Sequence, residues 1–201
     1  KKSNEIVLIS GRDRGAFTEW FGSKDYSLIT EHGVWIKSPG SEWRLIEKMN
    51  REWKKLIRPV IEFYVDRTPG SFVEEKNYSL VWHFRKCDPD LGNIRAIELK
   101  DELTSLIANN NLEILEGNKV IEVKNSGINK GRAASQKIAG DDYEFILGIG
   151  DDWTDEYLFE ELPRSAYTIK VGFVNTKARY NVDTFNDVRK LLVKLADIKV
   201  K

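Results

Sequence analysis

Three aspartates lie within five residues of one another, directly after a short apolar run. Asp151, Asp152 and Asp155 follow Tyr143-Glu144-Phe145-Ile146-Leu147-Gly148-Ile149. Carboxylates this close raise one another's pKa unless a cation lies between them, and Mg²⁺ is usually held by one or two carboxylates and by waters. Asp152 or Thr154 could instead cap the next helix, which would explain one or two of the acids. We favour a metal site, because capping does not explain all three.

Two further polar clusters contain the residue types that hold a phosphate group. Ser10-Gly11-Arg12 follows the first apolar run, where a hydroxyl and backbone N–H groups can bind a phosphate oxygen. A simple turn with a polar cap is the alternative. Asn129-Lys130-Gly131 opens a predicted helix, where the positive end of the helix dipole disfavours a lysine. The lysine therefore indicates a nearby anion, although a solvated lysine explains it equally well.

Strands and helices alternate at both ends of the chain and position these clusters. Short apolar runs bounded by Gly and Ser predict strands buried on both faces, as in parallel sheets. Ligands bind at the carboxyl edge of such a sheet, and the three polar clusters follow strands or open helices there. The predicted strands are residues 5–10, 27–30, 34–37, 143–149 and 166–171, and the predicted helices include 17–21, 155–162 and 185–196.

The middle of the chain has a different pattern. One apolar stripe predicts a long helix from Trp43 to Val65, bent or divided at Pro59. Alternation predicts two antiparallel hairpins, at 71–86 and 112–123, and Asp88 caps a helix between them. We therefore predict an α/β fold with a Rossmann-like parallel core and an inserted α+β module. The predicted divisions are core at 1–46, module at 47–124 and core at 125–201.

The composition argues against several classes of protein. The 201 residues carry 32 basic and 32 acidic side chains, so no excess positive charge is available for nucleic acid or an anionic membrane. Cys87 is the one cysteine, and the two histidines are His32 and His83, which argues against disulfides and zinc sites. No apolar run approaches the roughly 20 residues that span a bilayer, and no signal peptide is visible. We expect a cytoplasmic protein that binds neither nucleic acid nor membranes.

The order of the three clusters, with a module inserted between the first and the second, resembles the haloacid dehalogenase superfamily of phosphotransferases. In that superfamily the inserted module is a cap over the active site. Longer strings narrow the resemblance to the trehalose-6-phosphate phosphatase family, and it covers nearly the whole chain. These strings are Glu31-His32-Gly33, Arg67-Thr68-Pro69-Gly70-Ser71-Phe72-Val73-Glu74-Glu75-Lys76, Leu80-Val81-Trp82-His83-Phe84-Arg85, Gly117-Asn118-Lys119-Val120-Ile121-Glu122-Val123 and Gly150-Asp151-Asp152-Trp153-Thr154-Asp155.

The resemblance implies a Mg²⁺-dependent phosphatase that acts on trehalose 6-phosphate through a phosphoaspartyl intermediate. One aspartate attacks the phosphorus, a second aspartate two residues later protonates the leaving sugar hydroxyl, and water hydrolyses the intermediate. By the same resemblance, Ser10 and Lys130 bind the phosphoryl group and Asp151 binds Mg²⁺. Asp155 orients ligands and water, and Asp152 either does the same or binds the metal.

The cap module is implied to recognise the sugar. Glu74, Lys76, Arg85 and Glu122 match the family's cap positions, where carboxylates accept and cationic groups donate hydrogen bonds to sugar hydroxyls. Arg12 and Asn129, beside the two phosphate clusters, are the other expected substrate-binding residues. A solvated hairpin face is the alternative for Lys76, and we expect His83 to be structural.

One family motif is missing from these 201 residues. The strand with Asp-x-Asp-Gly-Thr, which carries both catalytic aspartates and a metal ligand in the family, should precede the strand at Ile6. The chain also starts without Met, which suggests a missing upstream part. In the related fold that strand lies between the strands ending at Ser10 and Ile149, so we predict a slot or a replacement strand there.

The missing motif affects the expected function. We predict that these 201 residues alone have no phosphatase activity. A sugar-phosphate-binding or regulatory domain that has lost the nucleophile is the alternative function, and a related sugar phosphatase with another substrate is a weaker one. The family also occurs fused behind a trehalose-phosphate synthase domain, so such a domain is an expected partner.

Overall fold

The structure is a computed structural model that describes residues 4–21 and 25–198. The strands are β1 (Val7–Ile9), β2 (Ser27–Thr30), β3 (Trp35–Lys37), β4 (Arg44–Leu45), β5 (Phe72–Glu75), β6 (Ser79–His83), β7 (Leu112–Gly117), β8 (Val120–Asn125), β9 (Leu147–Gly150), β10 (Tyr167–Val171) and β11 (Tyr180–Val182). The helices are α1 (Arg14–Phe21), α2 (Lys54–Asp66), α3 (Pro89–Ile107), α4 (Lys130–Ile138), α5 (Glu156–Glu161) and α6 (Phe185–Ala196), and a 3₁₀ turn, Trp153–Asp155, precedes α5.

The two ends of the chain form parallel sheet, as an α/β fold requires. β1 pairs in parallel with β2, and β3 and β4 extend that sheet in antiparallel order. β9, β10 and β11 form a second, fully parallel sheet. Helices α4 and α5 pack together through Ala134, Leu158 and Leu162, which are buried. The predicted α/β fold class is confirmed.

A cavity of about 200 Å³ lies between β1 and β9. Its lining includes Val7 and Ile9 from β1 and Leu147 and Ile149 from β9. Among the described residues, β1 pairs only with β2 and β9 pairs with β10, so the facing edges of the two sheets are not hydrogen-bonded to each other. The structure therefore shows the slot that the sequence predicted at this position.

The middle segment, residues 54–125, builds its own sheet and its own apolar core. The strand order is β5-β6-β8-β7, all antiparallel. One face of this sheet packs on α2 and α3, and the fully buried side chains of that core are Ile57, Ile61, Leu80, Trp82, Leu99, Leu103 and Val123. The opposite face carries a row of paired positions that runs Glu74, Val81, Glu122 and Leu115 across the four strands.

The chain enters and leaves the middle segment at neighbouring points. Trp53 immediately precedes α2, and Asn125 is the last residue of β8. The Trp53 indole N–H donates to the Asn125 side-chain oxygen at 3.2 Å and to the Asn50 carbonyl at 3.1 Å. A side-chain hydrogen bond therefore joins the two points at which the chain passes between the middle segment and the rest of the fold.

The prediction of one long helix from Trp43 to Val65 is wrong in its first half. Leu45 belongs to β4 and pairs with Trp35, and α2 begins only at Lys54. Met49 packs on a separate buried cluster that contains Val34. Leu45 and Met49 thus contact residues that are distant in sequence. Their spacing of four residues resembles that of a helix although no helix forms there. Pro59 lies inside α2 and does not divide it.

Other boundaries also differ from the sequence prediction, among them the start of α1 at Arg14 rather than Phe17. Residues 143–146 precede β9 and are not strand, and the helix predicted from Asp155 starts at Glu156 after the 3₁₀ turn. The short strand β11 was not predicted, because Tyr180-Asn181-Val182 is too brief to show a period. No helix among residues 4–21 and 25–198 has the length and apolar character needed to cross a membrane.

Candidate active site

The three clustered aspartates lie in three different settings. We call residues 150–155 the acidic loop. Asp152 accepts hydrogen bonds from the Trp153 N–H at 2.7 Å and the Thr154 hydroxyl at 3.2 Å, so it caps the 3₁₀ turn. Asp155 is buried and accepts from the Asp152 N–H at 2.9 Å. Asp151 is exposed, and its side chain makes no hydrogen bond or ion pair with any residue that the structure describes.

A buried ion pair joins the acidic loop to α4. The Lys130 ammonium lies 2.7 Å from Asp155 Oδ1, and both side chains are more than nine-tenths buried. Lys130 is the first residue of α4, and Asn129 caps that helix by accepting from the Arg132 N–H at 2.8 Å. Asp155 therefore supplies a negative charge beside Lys130, a pairing that the sequence did not predict. The sequence argument required a cation near the three aspartates, and for Asp155 the Lys130 ammonium is that cation.

Two glycines allow this close approach. A Cβ on Gly131 would lie 2.0 Å from the Tyr157 carbonyl oxygen, so α4 and α5 could not approach as closely with any other residue there. A Cβ on Gly150 would lie 2.3 Å from the Asp155 side chain, at Cγ. Neither position has room for a side chain, because Gly131 lies against the α5 backbone and Gly150 lies against Asp155. This close packing brings Lys130 and Asp155 together.

The loop after β1 presents the second predicted cluster. The Ser10 N–H continues the pairing with β2 by donating to Ile29 O at 3.0 Å, and the Ser10 hydroxyl oxygen accepts from the Arg12 N–H at 3.2 Å. Gly11 lies directly against the His32 ring, where a Cβ would meet Nε2 at 2.3 Å. The Arg12 guanidinium lies over Trp20, 4.9 Å from the ring centroid.

The middle segment contacts this loop through Lys76. The Lys76 ammonium donates to Gly11 O at 3.2 Å and lies 3.7 Å from the Glu122 carboxylate, whose other oxygen lies 3.7 Å from His32 Nε2. Close by, the Asn77 amide donates to Glu31 Oε1 at 3.2 Å. The structure therefore brings Lys76 and Glu122, two predicted sugar-binding residues, to the edge that carries Ser10.

Glu31 and His32 form a strained turn at this contact. Both have left-handed backbone conformations, with φ values of 51° and 58°, which non-glycine residues rarely adopt. Burial raises the pKa of Glu31, although Asn77 and nearby cations oppose the change. Burial also lowers the pKa of His32 to about 4, with Glu122 opposing and three lysines reinforcing the shift. His32 is therefore a neutral imidazole at pH 7.

The remaining predicted residues of the middle segment lie farther from this contact. Glu74 is in the same row as Glu122, and its carboxylate lies 2.7 Å from His83 Nε2. Arg85 follows the carboxyl end of β6, is exposed, and donates to the Asn118 carbonyl at 3.0 Å. The structure does not bring Arg85 to Lys76, which lies at the opposite end of that sheet.

Sequence reasoning missed four residues of this region: Glu31, His32, Asn77 and Lys170. The first two were noted only as part of a family string, because a strained turn leaves no periodic signal. Lys170 did carry a signal, since a lysine interrupts the apolar run of β10. Its side chain is buried and donates to the Asp152 carbonyl at 2.8 Å.

The described residues fit Mg²⁺ only in part. The chain within 4–21 and 25–198 contains no group of three or more His, Cys, Asp or Glu side chains arranged to hold a metal. Within the acidic loop, Asp151 is the carboxylate that has no hydrogen-bond or ion-pair partner among the residues that the structure describes. Since Mg²⁺ is commonly held by one or two carboxylates and several waters, Asp151 and Asp152 could supply part of a site but not all of it.

Comparison with known proteins identifies the family. The trehalose-phosphatase family model matches residues 1–189. The chain belongs to the trehalose-phosphatase family. Among solved structures, the C-terminal domain of the C. albicans trehalose-6-phosphate phosphatase has a TM-score of 0.84 and 30% sequence identity, over 98% of this chain and 79% of that one. The resemblance seen in the sequence and its haloacid dehalogenase-type fold are confirmed.

The curated relatives are much longer than this chain. It is 37% identical over 190 residues to the bifunctional trehalose-6-phosphate synthase/phosphatase of Thermoproteus tenax, covering 94% of this chain and 26% of that protein. It is 40% identical over 201 residues to α,α-trehalose-phosphate synthase [UDP-forming] B of Dictyostelium discoideum, covering 97% of this chain and 25% of the relative. The chain thus spans about a quarter of the length of these relatives.

Proposed function

We propose that the protein hydrolyses trehalose 6-phosphate to trehalose and phosphate, with Mg²⁺ and through a phosphoaspartyl intermediate. Membership of the trehalose-phosphatase family supports a phosphatase hydrolase. The observation that carries the assignment to this site is the buried Lys130–Asp155 pair beside the unpartnered Asp151. An ammonium held at a helix start is suited to bind a phosphoryl oxygen.

In this proposal the phosphoryl group binds at the Ser10 loop and at Lys130. Asp155 fixes the Lys130 ammonium, so that the cation is oriented before substrate arrives. Asp151, with Asp152, would hold Mg²⁺, which supplies positive charge to offset the phosphoryl oxygens. The Asp152 side chain already caps the 3₁₀ turn, so binding of a metal there would compete with that cap.

The uncharged sugar binds against the middle segment in this proposal. Lys76 and Glu122 lie closest to the Ser10 loop and provide a donor and an acceptor for hydroxyl groups. Glu74 extends the same row, while Arg12 and Asn129 border the phosphoryl site. Arg85 would join the sugar only if the hairpin turn at Asn118 released its guanidinium.

We further propose that a strand carrying the two catalytic aspartates occupies the cavity between β1 and β9. The facing edges of these strands lack a common partner among the described residues, and apolar side chains line the space between them. A parallel strand there would satisfy both rows of backbone groups and would end beside Ser10 and the acidic loop. The 201 residues alone are then expected to release no phosphate.

A non-catalytic sugar-phosphate-binding or regulatory domain is the second candidate. The phosphoryl-binding and sugar-binding residues proposed above, among them Lys130, Lys76 and Glu122, would serve such a domain equally well. We also propose that the phosphatase region is joined to a trehalose-phosphate synthase domain, because the T. tenax relative is named as bifunctional and is about four times as long as the matched region.

The deciding experiment measures phosphate released from trehalose 6-phosphate by the complete protein, with and without Mg²⁺. We expect turnover that depends on Mg²⁺ in the complete protein and none in residues 1–201 alone. Binding of trehalose 6-phosphate by calorimetry without any phosphate release would establish the non-catalytic candidate. Turnover by residues 1–201 alone would contradict the proposed position of the nucleophile.

A further inference from the structure

A lysine is buried in the middle of the parallel sheet. Lys170 is the fourth residue of β10, and only 2% of it is exposed. Lysine is rarely buried to this extent unless its charge is paired and hydrogen-bonded, because an unpaired ammonium loses its hydration without compensation. Its contacts therefore show what the position requires.

The Lys170 ammonium holds two groups on either side of the 3₁₀ turn. It donates to the Asp152 carbonyl at 2.8 Å and lies 3.2 Å from Glu156 Oε1. Glu156 also accepts from the Thr176 hydroxyl at 2.9 Å and from the Lys177 N–H at 2.7 Å. Burial opposes the charge of Glu156, but these hydrogen bonds outweigh it and lower its pKa, so the carboxylate is ionised at neutral pH.

These contacts continue without a break to the phosphoryl-binding lysine. The Asp152 residue that gives its carbonyl to Lys170 donates its N–H to Asp155 Oδ2 at 2.9 Å. Asp155 then holds Lys130 through its other oxygen at 2.7 Å. Both sides of the acidic loop are thus tied, one to β10 through Lys170 and the other to α4 through Lys130.

We propose that Lys170 is a positioning residue for the acidic loop. By fixing the Asp152 carbonyl it sets the direction in which Asp151 faces solvent and the place of Asp155 against Lys130. This inference rests on the proposed function for its catalytic consequence, but the loop geometry itself does not. A purely structural lysine would affect the stability of the whole fold and leave the loop's own mobility and metal affinity unchanged.

The test replaces Lys170 by Met in the complete protein, which keeps the length of the side chain and removes its charge and donors. Lys177→Met is the matched control, because Lys177 lies nearby but is more than half exposed and pairs with Glu160 at 2.6 Å on the surface. Amide hydrogen exchange of residues 151–157 is measured in metal-free protein, and Mg²⁺ affinity is measured by calorimetry and from the half-saturating concentration for turnover.

We expect Lys170→Met to speed exchange in the acidic loop and to raise the half-saturating Mg²⁺ concentration, each by about tenfold or more, because outer hydrogen-bond partners of ligands typically contribute that much to metal affinity. The KM for trehalose 6-phosphate should change much less, and Lys177→Met should match the wild type. Exchange rates and Mg²⁺ affinity within twofold of the wild type in folded Lys170→Met would overturn the inference.

A second variant keeps the test decisive if Lys170→Met does not fold. Glu156→Gln removes the charge that pairs with Lys170 and retains an acceptor, so it should loosen the loop by a smaller factor, about threefold. Unchanged loop exchange in Glu156→Gln would then overturn the inference. A wild-type protein with no phosphatase activity would refute the proposed function alone, since hydrogen exchange and calorimetry need no turnover.

Discussion

Replacing Gly131 by Ala tests whether the contact between α4 and α5 sets the position of Lys130. The new Cβ would lie 2.0 Å from the Tyr157 carbonyl oxygen and 2.5 Å from its carbonyl carbon, whereas ordinary contact begins near 3.4 Å. The two helices must therefore separate locally by about 1.4 Å. Backbone atoms cannot turn aside as a flexible side chain can, so the shift passes to the helices.

The shift should weaken the ion pair next to it. Lys130 precedes Gly131, and its contact with Asp155 is 2.7 Å. If most of the separation reaches this pair, the two groups pass beyond hydrogen-bond distance. Overpacking costs about 1–3 kcal/mol, and the helix preference of Ala over Gly returns up to about 1 kcal/mol. A clash of 2.0 Å with backbone places the cost at the upper end of that range. The resulting net loss of about 2 kcal/mol lowers the unfolding midpoint of a chain this long by about 4–8 °C.

The assay combines thermal unfolding followed by circular dichroism with phosphate release from trehalose 6-phosphate. Gly92→Ala is the matched control, because Gly92 is also helical but its Cβ would meet the Phe84 ring at 3.1 Å, which requires a shift of only a few tenths of an ångström. We expect the control to unfold at the wild-type temperature or slightly above it and to keep its activity. A Gly131→Ala protein with the wild-type midpoint and activity would refute this account of the helix contact.

Three further outcomes are expected. Asp151→Asn should remove most Mg²⁺-dependent turnover, because an amide is a poorer ligand for a hard cation; an unchanged Mg²⁺ titration would contradict it. Glu122→Gln should raise the KM for trehalose 6-phosphate by about tenfold with less effect on a small phosphate ester, whereas Lys130→Ala should slow both substrates, as steady-state kinetics would show. The pKa of His32 is lowered from 6.5 to about 4 in the folded protein. As the pH drops from 6.5 to 4, the unfolded chain therefore binds a proton that the folded protein does not, and the free energy of unfolding falls. In a pH series of thermal unfolding, His32→Asn should lose less stability than the wild type over that window.

The sequence predicted best those elements whose burial repeats along the chain. The alternation of Leu80 and Trp82 with Val81 placed β6 and its two faces correctly, and Asp88 caps α3 as expected, accepting from the Leu91 N–H at 2.9 Å. Residues 43–53 were assigned to a helix because Leu45 and Met49 are four residues apart. That spacing arises from pairing with β3 and packing against Val34, which no local pattern records.

The candidate site was predictable in its residue types and not in its pairings. The sequence indicated a charged partner for Lys130 and an acidic loop, but only the fold shows that each satisfies the other. Arg85 and Lys76 are nine positions apart and were expected to act together. They lie at opposite ends of the middle sheet. Lys76 precedes β6 at the end near the Ser10 loop, and Arg85 follows β6 at the far end.

The hydrogen bond between Trp53 and Asn125 has a consequence for how this protein could be altered. The chain enters and leaves the middle segment at residues whose side chains are hydrogen-bonded to each other, so the two connections to the remaining sheets lie side by side. Segments with neighbouring ends can be exchanged, shortened or permuted with little strain on the host. We therefore expect chimeras that graft another module at this junction to keep the proposed phosphate-binding edge while changing which alcohol portion of the substrate binds beside it.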